Sequence, residues 1–372
     1  LTTTVGYLYN AVSTVTDPKR FTTRYSHNYA QTNSSTLTLT ETVTLPNNAT
    51  QISTYVNGLQ TSTGGIGQHA QTFSYGPNWQ SSTPSNVKTY TDMLGRQYKT
   101  EYPDGTSAMN YYNTKGQLVK SVTPGGVTAL YTYNVRGQLA SEIVDMDRNG
   151  TQSTGDIVTT YTHSFGTKTL DGQSVTVQVM TVATSSGTNS VEVRKTEQTL
   201  DGLCSWVAEF GKTAFSRTEY PGDGVVRVTE IDAVGVKKVT TQENGLVTKE
   251  ELFHSDGTAG NVTTYTYDQF DRLSTVTEKR GATVVNTLAN NSYDANGNVL
   301  MRTVNGQSVS MAYDNLNRLY NYLLPGNRIV NYEFHPTGEL KKVSGAETYT
   351  QEFSYNNFGG MSTIQMLWDL LF

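Results

Sequence analysis

Short runs in which every second residue is apolar or β-branched recur along the whole chain. Examples are Thr36-Leu-Thr-Leu-Thr-Glu-Thr-Val-Thr44, Ser174-Val-Thr-Val-Gln-Val-Met-Thr-Val182 and Tyr265-Thr-Tyr267. A period of two puts alternate side chains on one face of an extended strand, so these runs predict half-covered β-strands. No long stretch rich in Ala, Leu, Glu and Lys predicts a helix. Turn formers separate the runs, as at Pro103-Asp-Gly105, Pro124-Gly-Gly126, Pro221-Gly-Asp-Gly224 and Pro325-Gly326.

The pattern repeats. Tyr112-Asn-Thr-Lys-Gly-Gln-Leu118 returns as Tyr133-Asn-Val-Arg-Gly-Gln-Leu139, Tyr267-Asp-Gln-Phe-Asp-Arg-Leu273 and Tyr293-Asp-Ala-Asn-Gly-Asn-Val299. It returns again as Tyr313-Asp-Asn-Leu-Asn-Arg-Leu319, Phe334-His-Pro-Thr-Gly-Glu-Leu340 and Tyr355-Asn-Asn-Phe-Gly-Gly-Met361. Weaker copies are Thr91-Asp-Met-Leu-Gly-Arg-Gln97 and Ile231-Asp-Ala-Val-Gly-Val-Lys237. Asp92, Asn113 and Asn134 are spaced by 21 and 21 residues, and Asp294, Asp314, His335 and Asn356 by 20, 21 and 21.

One unit reads as two strands and two turns. The Tyr before the turn shares a strand face with the residue two earlier. The Asp or Asn bonds the backbone two residues on and opens the turn. Gly, Asn or Asp three residues later accepts a positive φ and closes it. A lone hairpin is marginal in water, so the units must stack edge to edge. The polar residues of the repeat are thereby read as structural and not as acid/base catalysts.

These motifs resemble the YD repeat of the Rhs family, shared with the shell component of Tc toxins and with teneurins. The resemblance covers roughly Lys88 to Asn134 and Gly224 to Met361, with Thr100-Glu-Tyr-Pro-Asp-Gly-Thr106 close to the family pattern. It implies tandem hairpins stacked into a curved, spiralling antiparallel sheet around a large cavity, which in Rhs and Tc proteins holds a toxic C-terminal segment. The chain departs from that pattern after Met361, where the core rich in Asp-Pro, Gly and Tyr and the toxin domain do not follow. The fold class expected is all-β. Four segments are expected: a Thr/Ser-rich β segment of degenerate repeats at 1–87, YD repeats at 88–150, a β insertion of irregular sequence at 151–223, and YD repeats at 224–372.

Composition fits strands better than disorder. Apolar residues make up only 35%, yet there are 24 tyrosines, which suit a pleated, half-buried surface. Net charge is −5, from 27 basic and 32 acidic residues, and no Lys/Arg run stands out. The electrostatic footprint of a nucleic-acid binder is missing. No apolar run reaches the length of a membrane span. The chain opens Leu1-Thr-Thr-Thr-Val5 with neither an initiator Met nor a signal segment, which leads us to expect a processed chain or a piece of a longer product. The apolar stretch Met366-Leu-Trp-Asp-Leu-Leu-Phe372 is expected to be a segment cut from its context or a strand that packs on a partner.

The sharpest chemical signal is Asp145-Met-Asp-Arg-Asn-Gly-Thr-Gln-Ser-Thr-Gly-Asp156. It fits a calcium-loop template: oxygens from Asp145, Asp147 and Asn149, a sharp turn at Gly150, a backbone carbonyl from Thr151 and a closing carboxylate from Asp156. Asp stands where an EF-hand uses a bidentate Glu, and no flanking helix is predicted. Ca²⁺ is the ion that such clustered oxygens suit. The bland reading is a polar hairpin tip.

Elsewhere the chemistry is sparse. Thr63-Gly-Gly-Ile-Gly-Gln68 lacks the Lys-Ser/Thr ending of a phosphate loop and reads as a flexible hairpin tip. The five histidines, His27, His69, His163, His254 and His335, show no zinc spacing. Cys204 stands alone, so no internal disulfide forms, and no Gly-x-Ser-x-Gly elbow is present. Tyr161-Thr-His163 places a possible acid and base on one strand face, although a packed face is the commoner arrangement. The leading functional expectation is therefore a structural β-shell segment of a secreted or surface Rhs-like protein, without catalysis of its own, facing a protein partner or an encapsulated polypeptide. Two alternatives stay open: a polysaccharide lyase, and a carbohydrate-binding module using a Tyr-rich sheet groove.

Overall fold

The computed structural model describes residues 2–8, 11–346 and 348–367. The expectation for the apolar C-terminal stretch falls largely on 368–372, outside the described residues. The described residues form thirty-two β-strands and no helix. An all-β stack of antiparallel hairpins is what the repeats led us to expect. Contacts divide the chain into two units, one of residues 1–88, 268–275 and 287–372, the other of 89–267 and 276–286. Inside each unit, strands pair antiparallel with their neighbours in sequence, as Ser107–Tyr112 does with Leu118–Val122 and Gln307–Tyr313 with Leu319–Leu324.

One side chain shapes each repeat turn. The Oδ1 atoms of Asp92, Asn113, Asn134, Asp232, Asp268, Asp294, Asp314 and Asn356 each accept the backbone N–H groups two and four residues on, at 2.9–3.1 Å. The backbone closes around the same residue, with Gly116 N–H donating to the Asn113 carbonyl at 2.9 Å and Asn113 N–H to the Gln117 carbonyl at 2.9 Å. The fourth position takes a positive φ, filled by Gly116 at 83° but also by Asp271 at 59° and Asn317 at 60°. This is the three-residue hairpin loop ending in a left-handed residue. The copies at Asp92 and Asp232, weak by sequence, make the full set of bonds.

A bulge follows each of several turns. Tyr112 pairs with Leu118, but Tyr111 pairs with Lys120, so Val119 is the extra residue. The same shift occurs beside Tyr133, Tyr313, Phe334 and Tyr355. A bulge in register with these turns adds the same local increment of twist to their hairpins, while the Asp232 turn pairs without one.

Neighbouring hairpins are then tied through the ring that precedes the turn. The hydroxyls of Tyr112, Tyr133 and Tyr267 donate at 2.7 Å to the carbonyls of Gln97, Leu118 and Val247 in the hairpin before. Arg96, Arg272 and Arg318 each pair with the Oδ2 of their own turn's Asp, and each guanidinium lies over the next ring, 4.8 Å from Tyr112, 4.2 Å from Tyr293 and 4.5 Å from Phe334. The Arg side chains hold the carboxyls of Asp92 and Asp268 below the usual carboxylate range. Only eight apolar side chains among the described residues are buried, and of these only Ile143 and Val177 fully. Cross-strand pairs on half-buried faces therefore carry more of the cohesion than a deep core does.

The segment 151–223, irregular as sequence, contains the longest strands, Ile157–Leu170 and Gln173–Ser186, paired without a break over fourteen residues. The Gly-rich run at 63–68 is tied down, not free: Gly67 N–H donates to the Thr50 carbonyl at 2.8 Å, and a Cβ on Gly65 would stand 2.2 Å from that same oxygen.

Two clasps join the first strands of the first unit to its last repeats. Lys19 Nζ lies 3.2 Å from Asp294 Oδ2, while Asn296 donates to Asp17 Oδ2 at 2.7 Å. His69 pairs with Glu339 through Nε2, and its Nδ1 lies 3.2 Å from the Asn357 carbonyl. Burial alone would raise the Glu339 pKa, but hydrogen bonds from His69 and Thr337 outweigh it and hold the carboxyl at about 2 against an ordinary 4.5. A depressed carboxyl stabilises the fold fully above its ordinary value and loses that contribution as the pH falls through its folded value. Denaturant midpoints measured between pH 7 and pH 2 should therefore drop less steeply below pH 4.5 in Glu339→Gln than in the parent. Equal slopes in the two proteins would show that the clasp does not form.

Candidate calcium site

The loop 145–156 joins strand Leu139–Asp145 to strand Ile157–Leu170, whose pairing begins at Val144 and Ile157. Strands flank it, where an EF-hand has helices. Asp145 is the last residue of the first strand and Asp156 directly precedes the second, so the hairpin brings the two ends of the loop together. Both side chains are buried, at 2% and 1% exposure.

Asp145 accepts Asn149 N–H at 3.1 Å on Oδ1 and Gly150 N–H at 2.8 Å on Oδ2. Asp156 accepts Met146 N–H at 2.9 Å and Ser153 N–H at 2.6 Å, one on each oxygen. Each oxygen thus holds one backbone donor and keeps a second lone pair. Asp147, exposed, accepts from Asn149 N–H, the Asn149 side-chain amide and Ser153 Oγ, the last at 3.0 Å. The Asn149 N–H bond is the largest influence holding the Asp147 carboxyl below its usual range. Gly150 supplies the expected positive φ, 78°, and Arg148 adds another at 58°.

The structure gathers three of the five expected ligands. Carboxylate oxygens of Asp145, Asp147 and Asp156 lie within 4.8 Å of one another. Asn149 turns its Oδ1 to Thr151, accepting the N–H at 2.7 Å and the hydroxyl at 2.8 Å. Thr151 is exposed. Ser153, which sequence reasoning passed over, closes the loop between Asp147 and Asp156.

Three carboxylates so close repel one another, and burying two of them is costly unless a cation or a proton compensates. Among the described residues, no Lys, Arg or His nitrogen lies within ion-pair distance of any of them. The nearest cation shown is the Lys120 ammonium, 3.7 Å from where a Cβ on Gly150 would stand. Hard oxygen donors with spare lone pairs are what Ca²⁺ takes, six to eight at a time, with water filling the rest.

His254 and His335 occupy turn slots and make the same backbone bonds as the Asp anchors. His27 lies 3.5 Å from Glu41. Burial pushes the Cys204 thiol up, away from the thiolate that a nucleophile needs. Tyr161 and His163 do share one half-buried strand face. Among the described residues no helix is long and apolar enough to cross a membrane.

Residues 243–283 match the RHS Repeat family model. The match runs from the end of one strand through the His254 turn, strand Ala259–Tyr267 and the Asp268 turn into strand Leu273–Arg280. No curated protein matches the chain. Among solved structures, the chain is similar to a crystal structure of TcdB2-TccC3-TEV at 15% identity and a TM-score of 0.46, over 96% of this chain and 22% of that one. It is similar to TcdB2-TccC3 without the hypervariable C-terminal region at 12% identity and a TM-score of 0.38, over 97% of this chain and 22% of that one. The Tc holotoxin pore of Photorhabdus luminescens, with a mutation in TccC3, follows at 10% identity and a TM-score of 0.28, over 91% of this chain and 27% of that one. The chain thus spans about a quarter or less of the length of these three structures. The YD-repeat resemblance read from the Tyr-Asp motifs is thus supported over residues 243–283 by an independent match to the RHS Repeat model.

Proposed function

We propose that this chain is a structural β-shell segment of a secreted or surface-displayed Rhs-like protein, that it covers a polypeptide partner, and that Ca²⁺ bound by the 145–156 loop reinforces it. One observation carries the shell reading. The most regular polar groups of the chain are used up in holding hairpins to their neighbours, through bonds that repeat with the sequence period. A wall that grows by adding like units needs such groups, and a catalytic centre does not. The RHS repeat at 243–283 supports the same reading.

The ion rests on a separate observation, the uncompensated charge of Asp145, Asp147 and Asp156. Asp145 and Asp156 bind through the lone pairs their backbone donors leave free, and Asp147 supplies the exposed ligand. An ion bound only by the folded state raises stability by mass action. The melting midpoint should rise as calcium replaces chelator for the parent chain and should not move for Asp147→Ala. A parent midpoint indifferent to calcium would remove the ion from the account.

The shell reading also expects no turnover. Incubation with anionic polysaccharides, followed by the ultraviolet absorbance of unsaturated product, should give a flat trace. A rising trace that His163→Ala abolishes without loss of fold would replace the shell by a lyase.

A further inference from the structure

The strand Ile157–Leu170 and its two successors, Gln173–Ser186 and Asn189–Thr199, show two different faces. One carries Val177, fully buried, and Glu197, paired with Lys168 and Lys195 at 2.7 and 3.0 Å. The other is polar and open. Its register sets Phe165 opposite Gln178 and Gln178 opposite Gln198 in one row, with His163 opposite Met180 and Met180 opposite Thr196 in the next. Arg136 and Gln138, from the Asn134 turn, close one side. Together they line a groove of about 380 Å³.

The groove lies where the repeat ladder is interrupted. In regular repeats the side chain four residues after the anchor reaches the next turn: Gln117 Nε2 donates to the Gly137 carbonyl at 3.1 Å, and Asn298 Nδ2 to Asn317 Oδ1 at 3.0 Å. Gln138 holds that position in the Asn134 turn, but the longer loop and strands of 145–199 follow, with no repeat turn. Its Oε1 accepts from Asn134 at 2.9 Å, its amide N–H groups have no acceptor among the described residues, and the residue lines the groove. Across the groove, the side chains of Arg136, His163, Gln178 and Gln198 have no hydrogen-bond or ion-pair partner among the described residues. The Thr196 hydroxyl is buried with no partner at all. Unpaired polar groups converging on one concavity, beside an aromatic ring, are the makings of a ligand site.

We propose that this groove binds an acidic saccharide, a chain of sugar units bearing carboxylates. The charge argues for an anion: Arg136 lines the groove, no carboxylate does, and the chain as a whole carries −5. The guanidinium matches a planar carboxylate with two parallel donors. The amides of Gln138, Gln178 and Gln198 offer donors and acceptors to ring hydroxyls. Phe165, 59% exposed, gives a flat apolar surface for the C–H face of a sugar ring. A peptide adding as a strand is the competing occupant, because Ile157–Leu170 pairs with Leu139–Asp145 only over Ile157–Thr160, and the hexaglutamate control below tests it. The site is independent of the shell reading, since a shell can be bare or sugar-binding.

Calorimetric titration of the full chain with a hyaluronan hexasaccharide tests the proposal, with cellohexaose and hexaglutamate as controls. The acidic saccharide should bind at least tenfold more tightly than either control. Arg136→Ala and Phe165→Ala should each weaken it tenfold or more while leaving the melting midpoint in place, since both side chains lie outside the turn-to-turn bonds. Hexaglutamate binding as well as the saccharide would reduce the groove to a general anion patch and overturn the proposal. So would affinity unchanged in both variants, or the lack of any binding heat.

Discussion

The regular turns of this molecule depend, in eight repeats, on one carboxamide or carboxylate oxygen each. In Asn113, as in seven other anchors, Oδ1 accepts two backbone N–H groups that the turn would otherwise leave to water. Those two bonds set the hairpin loop, the loop sets the pairing on either side, and the pairing carries the anchor's ring into reach of the hairpin before. Asp and Asn serve equally, because only Oδ1 is needed for the turn. Asp does more where an Arg follows four residues later, since its second oxygen then holds the guanidinium over the next ring. His254 and His335 keep the backbone bonds without the side-chain ones, so two turns rest on their neighbours.

The same constraint explains where the pattern stops. After Asn134 the next hairpin is the carboxylate-lined loop 145–156, and beyond it come long strands that pair without anchors. Turn-to-turn bonding lapses there, leaving side chains such as Gln138 with unused donors. A repeat protein has spare chemistry where its repeat is interrupted, and both proposed ligand sites lie at this interruption.

What the sequence disclosed, and what it hid, follows from the range of the interactions. Turn chemistry acts over four residues, so the anchors and the positive-φ positions were legible, including Asp271 and Asn317 where Gly is the usual occupant. Strand alternation was legible for the same reason. The bulge after several of the turns was not, because no residue type marks Val119 or its counterparts as the extra one. The clasps of Lys19 to Asp294 and of His69 to Glu339 join residues more than 200 positions apart, and no spacing rule reaches that far. The carboxylates of Asp145, Asp147 and Asp156 that the calcium template picks out do lie close together, while Asn149 and Thr151 bond each other in a way the template does not foresee. The polar groove was hidden because its residues come from four segments that only cross-strand register aligns.

The central claim is that anchored turns hold the array, and amide hydrogen exchange on the folded chain tests it most directly. The N–H groups of Lys115 and Gln117, turn residues whose only side-chain acceptor is Asn113, should exchange as slowly as those of the flanking strands. In Asn113→Ala, loss of two bonds worth about 1 kcal/mol each should speed their exchange roughly tenfold or more. The strand 128–133 of the next hairpin should follow in smaller measure. Exchange of Lys115 and Gln117 at the rate of free loop amides in the parent chain, or no change in Asn113→Ala, would contradict the account.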